Sequence, residues 1–204
     1  MPVADPKREH ILEAALKRFS HFGPSKTTMD EIAQDAEMSK GLLYYYFPDK
    51  EAICLAVVKR IVEGSYAILN SKMEEPMKTS DLLELYLKLK EENYIRYQHI
   101  LGMHQSNAKS TTSMLPSVLH IFREGEIDFM SRLIARGIKN GEISSDVDPL
   151  LVSGTLFDAM YGLRVLWAKE GCAQFGQICK GDIKVLTKRM RLLLTVFFNG
   201  LKKQ

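Results

Sequence analysis

The chain has 204 residues, 46% hydrophobic and 26% charged, which supports a buried core and excludes a disordered chain. Lys and Arg number 28 against 25 Asp and Glu, a formal charge of +3, so a polybasic tail is excluded and no nucleic-acid partner is announced by charge alone. The 7 Pro and 13 Gly are too few and too scattered for a repeat or low-complexity protein.

No apolar run approaches the roughly 18 residues of a membrane span, the longest lying around Leu192 to Phe198. Asp5, Lys7, Arg8 and Glu9 stand where a signal peptide needs an apolar stretch, so a cytoplasmic location without membrane contact is expected. Cys54, Cys172 and Cys179 are odd in number and lack CxxC spacing. They read as free thiols in a reducing compartment, with no zinc knuckle.

A first helix is predicted up to Phe22, because Ile11, Leu12, Ala15, Leu16, Phe19 and Phe22 recur at three- and four-residue steps. Asp5 caps it, with Pro6 at the first helical position, and Gly23-Pro24 stops it. Thr28 and Glu31 form a T-x-x-E capping box for a short second helix with Ile32, Ala33 and Ala36 facing inward. A turn at Glu37-Met38 leads to Ser39, the cap of a third helix through Leu43 and Tyr46, closed by Pro48. Asp49 caps a fourth helix, whose Ile53, Ala56, Val57, Arg60 and Ile61 run on toward Met73.

Longer helices follow. Ser80 is predicted to cap a helix to about Ser106, with a Ser/Thr-rich loop over 107–115. Another helix runs from Pro116 to Asn140-Gly141. Asp148-Pro149 repeats the Asp5-Pro6 device and opens a helix to Glu170. Residues 171–181 read as a connection, and a last helix spans about 182–201. No alternating run competes, so the fold class is all-α.

Three short helices with a tight turn between the second and third make a helix-turn-helix over about 28–47. Lys40, Gly41 and Leu42 occupy the first turn of the third helix, the part that meets base edges in a major groove. Gly41 lets the backbone approach, Leu42 can meet a thymine methyl, and Lys40 can reach a guanine edge or a phosphate. Tyr44, Tyr45 and Tyr46 offer hydroxyls to phosphate oxygens; for Tyr46 a core position stays equally open. Lys50 sits in the first turn of the next helix, where free N–H groups favour a phosphate. Lys26 and Thr28 flank the second helix and can hold the other backbone. Leu43 and Phe47 fit the core by their spacing.

The run from Thr28 through Ile32, Ala33, Ala36, Ser39, Gly41, Leu43, Tyr44, Tyr46 and Phe47 to Lys50 resembles the DNA-binding signature of the TetR/AcrR family of bacterial transcriptional regulators. The resemblance is sharp over about 6–60. It implies DNA-binding side chains at Lys26, Thr28, Ser39, Lys40, Gly41, Leu42, Tyr44, Tyr45, Tyr46 and Lys50. It also implies a helix-turn-helix domain over 1–50, joined by a linking helix to a larger effector-binding and dimerisation domain over 51–204. Two positions depart from the pattern. Glu37 stands in the turn where the family usually has Gly, so the turn must bend without it or accept strain at Glu37. Leu42 stands where Thr, Ala or Ser is commoner, which favours methyl recognition over a hydrogen bond.

The family pairs as two-fold dimers, which implies a homodimer through helices 149–170 and 182–201 reading a pseudo-palindromic double-stranded DNA operator. The sequence agrees independently. Leu186, Met190, Leu193, Phe197 and Leu201 form one stripe, which Leu192, Val196 and Phe198 widen beyond a single core contact. Leu151, Leu156, Phe157, Met160, Tyr161, Leu163 and Leu166 do the same for the preceding helix.

The middle helices offer a pocket for a small, largely apolar effector, with Asn93, Tyr97, Met103, His104, Phe122, Glu126, Met130 and Tyr161 as candidate contacts. Asn93 and Glu126 interrupt apolar stripes; Glu126 can anchor a cationic or hydroxylated ligand, or pair with an Arg.

No cofactor, metal or catalytic residue is expected, since GxSxG, P-loop, HExxH and GxGxxG signatures are missing at usable places. His99 and His104 diverge by about 140° on a helix, so they cannot share a metal. A helical DNA-binding architectural protein without effector control is the main rival, and a small all-α enzyme a weaker one. Residues 1–60 carry nine Lys/Arg and nine Asp/Glu, whereas 180–204 nets seven minus one, +6. Bulk charge thus points away from the helix-turn-helix. Placement has to identify the DNA face, with Asp30, Glu31 and Asp35 expected on faces pointing elsewhere.

Overall fold

The computed structural model describes the backbone of residues 5–101, 115–175 and 180–202, and the side chains of all of these except 115 and 169–181. The expected loop at 107–115 falls almost wholly outside the described residues. Local capping decides where the first helices start. Asp5 accepts a hydrogen bond from the Lys7 N–H at 2.9 Å and opens α1 (Pro6–Phe22), which Gly23 ends at φ 77°. After a 3-10 turn (Pro24–Lys26), the Thr28 hydroxyl accepts from the Glu31 N–H while the Glu31 carboxylate accepts from the Thr28 N–H. This reciprocal box opens α2 (Met29–Asp35). Ser39 caps α3 (Lys40–Tyr46) through the Leu42 N–H, and Asp49 caps α4 (Lys50–Met73) through the Ala52 N–H.

The remaining helices are α5 (Thr79–Arg96), α6 (Leu115–Lys139), α7 (Pro149–Phe175) and α8 (Lys180–Gly200). Among the described residues there is no strand, only an isolated bridge between Ile143 and Lys202. Ile11, Leu12, Ala15 and Phe19 of α1 share one core with Ile32, Ala33, Leu43, Phe47, Ile53 and Val57. Full burial of each large apolar side chain contributes about 1.5–3 kcal/mol, so this small unit is held by its α1 stripe.

Helix α4 continues past α1 and packs on α5 and α6. The α4–α6 crossing is close because α6 presents Gly125: a Cβ there would stand 2.7 Å from Tyr66 Cε2 and 3.2 Å from Val62 Cγ1. Helix α6 also packs on α7, and α8 on α5 and α7.

Three boundaries differ from the pattern. Ser80 is not a cap: α5 begins at Thr79, whose N–H donates to the Glu142 carboxylate at 3.2 Å, so the cap comes from 63 residues away. The same helix ends at Arg96, not near Ser106. Ile100 and Leu101 turn back to the Tyr97 carbonyl and bury their side chains, a tertiary stop with no Gly or Pro to announce it. Helix α7 runs five residues beyond Glu170, through Gly171, because one helical Gly costs only about 1 kcal/mol relative to Ala.

Candidate functional site

The turn between α2 and α3 is a Schellman motif built on an unfavourable residue. Glu37 has φ 50°; its N–H donates to the Gln34 carbonyl at 3.0 Å, and the Met38 N–H to the Ala33 carbonyl at 2.9 Å. The turn therefore accepts strain at Glu37. It fixes the angle at which α3 leaves α2.

The side chains of α3 divide into two sets. Leu43 and Phe47 are buried and hold the helix down. Gly41, Tyr44 and Tyr45 are exposed, Tyr45 to 80%, and nothing lies within 4 Å of a Cβ built on Gly41. Lys26 is exposed as well, Leu42 is half-buried, and the Ser39 hydroxyl is engaged in capping.

Four residues of the motif have partners within the protein itself. Tyr46 is half-buried and its hydroxyl donates to the Asp5 carboxylate; burial and that carboxylate hold the phenol above its ordinary pKa. It ties the end of α3 to the start of α1. The Lys50 ammonium donates to the Thr27 carbonyl at 2.7 Å, and the Thr28 hydroxyl belongs to the capping box. Lys40 pairs with Asp30 at 2.8 Å, so Asp30 lies beside the α3 start and not on a face pointing elsewhere. Both partners are exposed, and such a pair is worth little and yields readily to a phosphate. Glu31 and Asp35 are drawn toward α1 by Arg18, at 3.3 and 2.7 Å.

A second concave region lies between the longer helices. One recess is lined by α5, α6, α7 and α8, with Lys90, Phe122, Glu126, Phe157, Tyr161 and Arg164 among its walls. The other opens on α4, α5 and α6, with Ser65, Tyr66 and Asn93 in its lining. Their empty volumes are about 510 and 440 Å³ with the solvent at their mouths included. Lys90, Tyr94, Leu101 and Phe122 belong to both, so the two adjoin.

Glu126 is only 3% exposed and is satisfied from two sides: the Tyr86 hydroxyl donates to one oxygen at 2.7 Å, and the Lys90 ammonium bonds the other. Burial disfavours the Lys90 ammonium most, but the Glu126 carboxylate and Tyr94 together hold the group above its usual pKa. Burial, and then the same carboxylate, push Tyr86 well above the ordinary phenol range. Asn93 donates to the Ser65 hydroxyl at 2.6 Å, joining α5 to α4.

Of the sequence candidates, Asn93, Phe122, Glu126 and Tyr161 line these recesses. Met130 is buried in the core and lines neither, Tyr97 sits in the turn after α5, and Met103 and His104 lie outside the described residues. Burial pushes the Cys54 thiol up to about 11, which leaves it protonated at neutral pH.

Residues 11–57, which span α1 to the first turns of α4, match the family described as bacterial regulatory proteins, tetR family. The HTH-type transcriptional regulator RutR of Escherichia coli strain K12 is 34% identical over 143 residues, 70% of this chain and 66% of that regulator. A third of RutR therefore lies outside the match. The crystal structure of a transcriptional regulator from Cytophaga hutchinsonii superposes with a TM-score of 0.80 at 28% identity, covering 98% of this chain and 100% of the other. The chain belongs to the TetR family. Thermus thermophilus FadR, a TetR-family repressor solved with lauroyl-CoA, shares the fold at a TM-score of 0.65 and 22% identity, over 92% of this chain and 93% of that one.

One further surface stands out in this TetR-family chain. Leu151 and Leu166 of α7, and Val185, Leu192 and Val196 of α8, are 54–68% exposed. Of these, Leu151, Leu166, Leu192 and Val196 belong to the apolar width that the sequence assigned to a seam between subunits; Val185 adds to it. Lys90, Tyr94 and Arg164 were missed as recess residues. A long cation at helical spacing reads as solvated surface, and only the packing of α5 on α4 and α8, and of α6 on α7, turns it inward.

Proposed function

We propose that this TetR-family regulator is a repressor that binds a pseudo-palindromic operator as a homodimer and leaves it when a small, largely apolar molecule occupies the recesses. One observation carries the reading: a capped, core-anchored α3 presents Gly41, Tyr44 and Tyr45 to solvent, with Lys40 and Lys26 nearby. That surface suits a major groove, Gly41 admitting the duplex while the hydroxyls and ammonium groups take phosphates. Lys50 and Tyr46 serve the reading head by holding its shape, through Thr27 and Asp5.

The exposed faces of α7 and α8 support a two-fold seam, since large apolar patches on soluble chains mark contact surfaces. A dimer places two α3 helices about 34–36 Å apart or at a larger multiple. Helix α4 supports the coupling, because Ile61, Val62, Ser65 and Leu69 line a recess while Ile53 and Val57 of the same helix belong to the α1 core. An occupant of that recess therefore acts on the helix that carries the reading head, and the two states need different affinities for it.

The test is capture of genomic fragments on the purified protein, followed by titration of the enriched site. A specific palindromic site, bound far more tightly than random duplex at the same salt, is the expected result. Tyr44→Ala should weaken that binding while helix content persists. A salt-steep isotherm of equal strength on every duplex would refute the regulator and favour a sequence-independent architectural protein.

A further inference from the structure

The recess between α5, α6, α7 and α8 holds two cations and one anion, and the anion is already matched. Glu126 receives Tyr86 and Lys90. Arg164 of α7 lines the same space, half-buried, with its guanidinium 5.1 Å from the Tyr161 ring centroid. No ion pair joins it to a carboxylate among the described residues. Its charge also bears on Lys90, whose ammonium it disfavours. The walls around these groups are otherwise apolar and aromatic: Tyr94, Phe122, Phe157 and Tyr161 with Met160 and Met190.

A partly desolvated guanidinium gains most from a planar anion that accepts two of its N–H groups. A cationic ligand has the opposite problem. It would have to displace Lys90 from Glu126 or lie beside Arg164, and either leaves like charges together in a poorly hydrated space. This reverses the polarity that Glu126 alone suggests.

We propose that the recess takes an amphipathic carboxylic acid, its carboxylate paired with Arg164 and facing Lys90 and its apolar body against Phe122 and Phe157. The inference rests on the effector reading above and names its chemical class. Since Lys90, Tyr94, Leu101 and Phe122 also border the second recess, the tail of an elongated acid passes Phe122 toward Ile61, Val62 and Leu69 of α4. Head group and tail then have separate roles: the head selects the ligand, and the tail reaches the helix that carries the DNA-binding unit.

The probes are straight-chain octanoate, decanoate and dodecanoate, each below its micelle concentration, against the alcohols and trimethylammonium salts of equal chain length. Trp167, the chain's single Trp, is buried on α7 one turn from Arg164 and reports occupancy by fluorescence. At least one acid should bind about tenfold or more tighter than its matched alcohol, the range of one charge-assisted hydrogen-bonded pair. Arg164→Gln should bring that acid to the alcohol's affinity and leave the alcohol unchanged, while Arg164→Lys keeps part of the preference.

Alcohol or ammonium probes binding as well as the acids would overturn the proposal. So would an Arg164→Gln variant that keeps the preference with an unchanged melting curve, or failure of every acid to bind. Operator binding of the wild-type dimer, measured without any probe, is scored separately. If it is absent the regulator reading fails; if it is present and the acids fail, only the ligand class falls.

Discussion

Replacing Glu37 with Gly should stabilise the protein, and the size of the gain follows from the α2–α3 turn. Glu37 is held at φ 50°, where an L side chain crowds its own carbonyl at a cost of about 1–2 kcal/mol. Both hydrogen bonds of the turn are made by backbone N–H groups, of Glu37 and Met38, so the substitution removes neither. Gly loses more chain entropy on folding, about 0.5–1 kcal/mol against Ala, which offsets part of the relief. The net is about 0.5–1 kcal/mol, or a melting point raised by about 1–4 °C in a chain of this length. Urea unfolding of wild type, Glu37→Gly and Glu37→Ala is the assay, and the Ala variant, which keeps its Cβ, should show little of the gain. A Gly variant equal to or less stable than wild type, with Ala no worse than Gly, would refute the assignment of strain to this residue.

Three further outcomes are expected. Gly125→Ala places a Cβ within 3 Å of the Tyr66 ring and should destabilise by about 1–3 kcal/mol in urea unfolding; an unchanged midpoint would mean α4 and α6 separate freely. Leu192→Asp with Val196→Asp removes two apolar side chains, each 65% exposed, from the α8 face, about 2–4 kcal/mol of burial per protomer in a dimer. Sedimentation should show monomers of undiminished helicity, and a persisting dimer would place the seam elsewhere. Glu31 has a lowered pKa, chiefly because its carboxylate accepts the Thr28 N–H and hydroxyl. A depressed carboxylate contributes stability above its unfolded pKa of about 4.3 and loses it as pH falls through the lower folded value. The advantage of wild type over Glu31→Gln in thermal melts should thus shrink on acidification from about pH 6 toward pH 3; a constant gap would deny the capping box its ionic part.

The helix-turn-helix was legible almost to the residue because its determinants are local. Asp5, Thr28, Ser39 and Asp49 each cap a helix within three residues, and the buried stripe from Ile11 to Phe19 repeats at the helical period. The resemblance already singled out Glu37, since it implies Gly at that place in the turn; that strain is the outcome is decided by φ 50°. Where the determinant lay far along the chain, pattern failed. The α5 cap comes from Glu142, and the α5 end is set by burial of Ile100 and Leu101.

Which polar side chains are committed to the protein itself was decided by the tertiary structure. Sequence marked Lys50 and Lys40 as DNA-facing alike and left Tyr46 open between core and phosphate. The fold gives Tyr46 to Asp5 and Lys50 to the Thr27 carbonyl, and lends Lys40 to an exposed Asp30 that a phosphate can replace. In the same way Glu126 was recognisable as a carboxylate on an apolar stripe, but its partners Tyr86 and Lys90 lie 40 and 36 residues away. A side chain's chemical type is written in the sequence. Its counter-charge is chosen by the packing of helices distant along the chain, because in a poorly hydrated interior a charge must be met by whatever group the fold brings within reach.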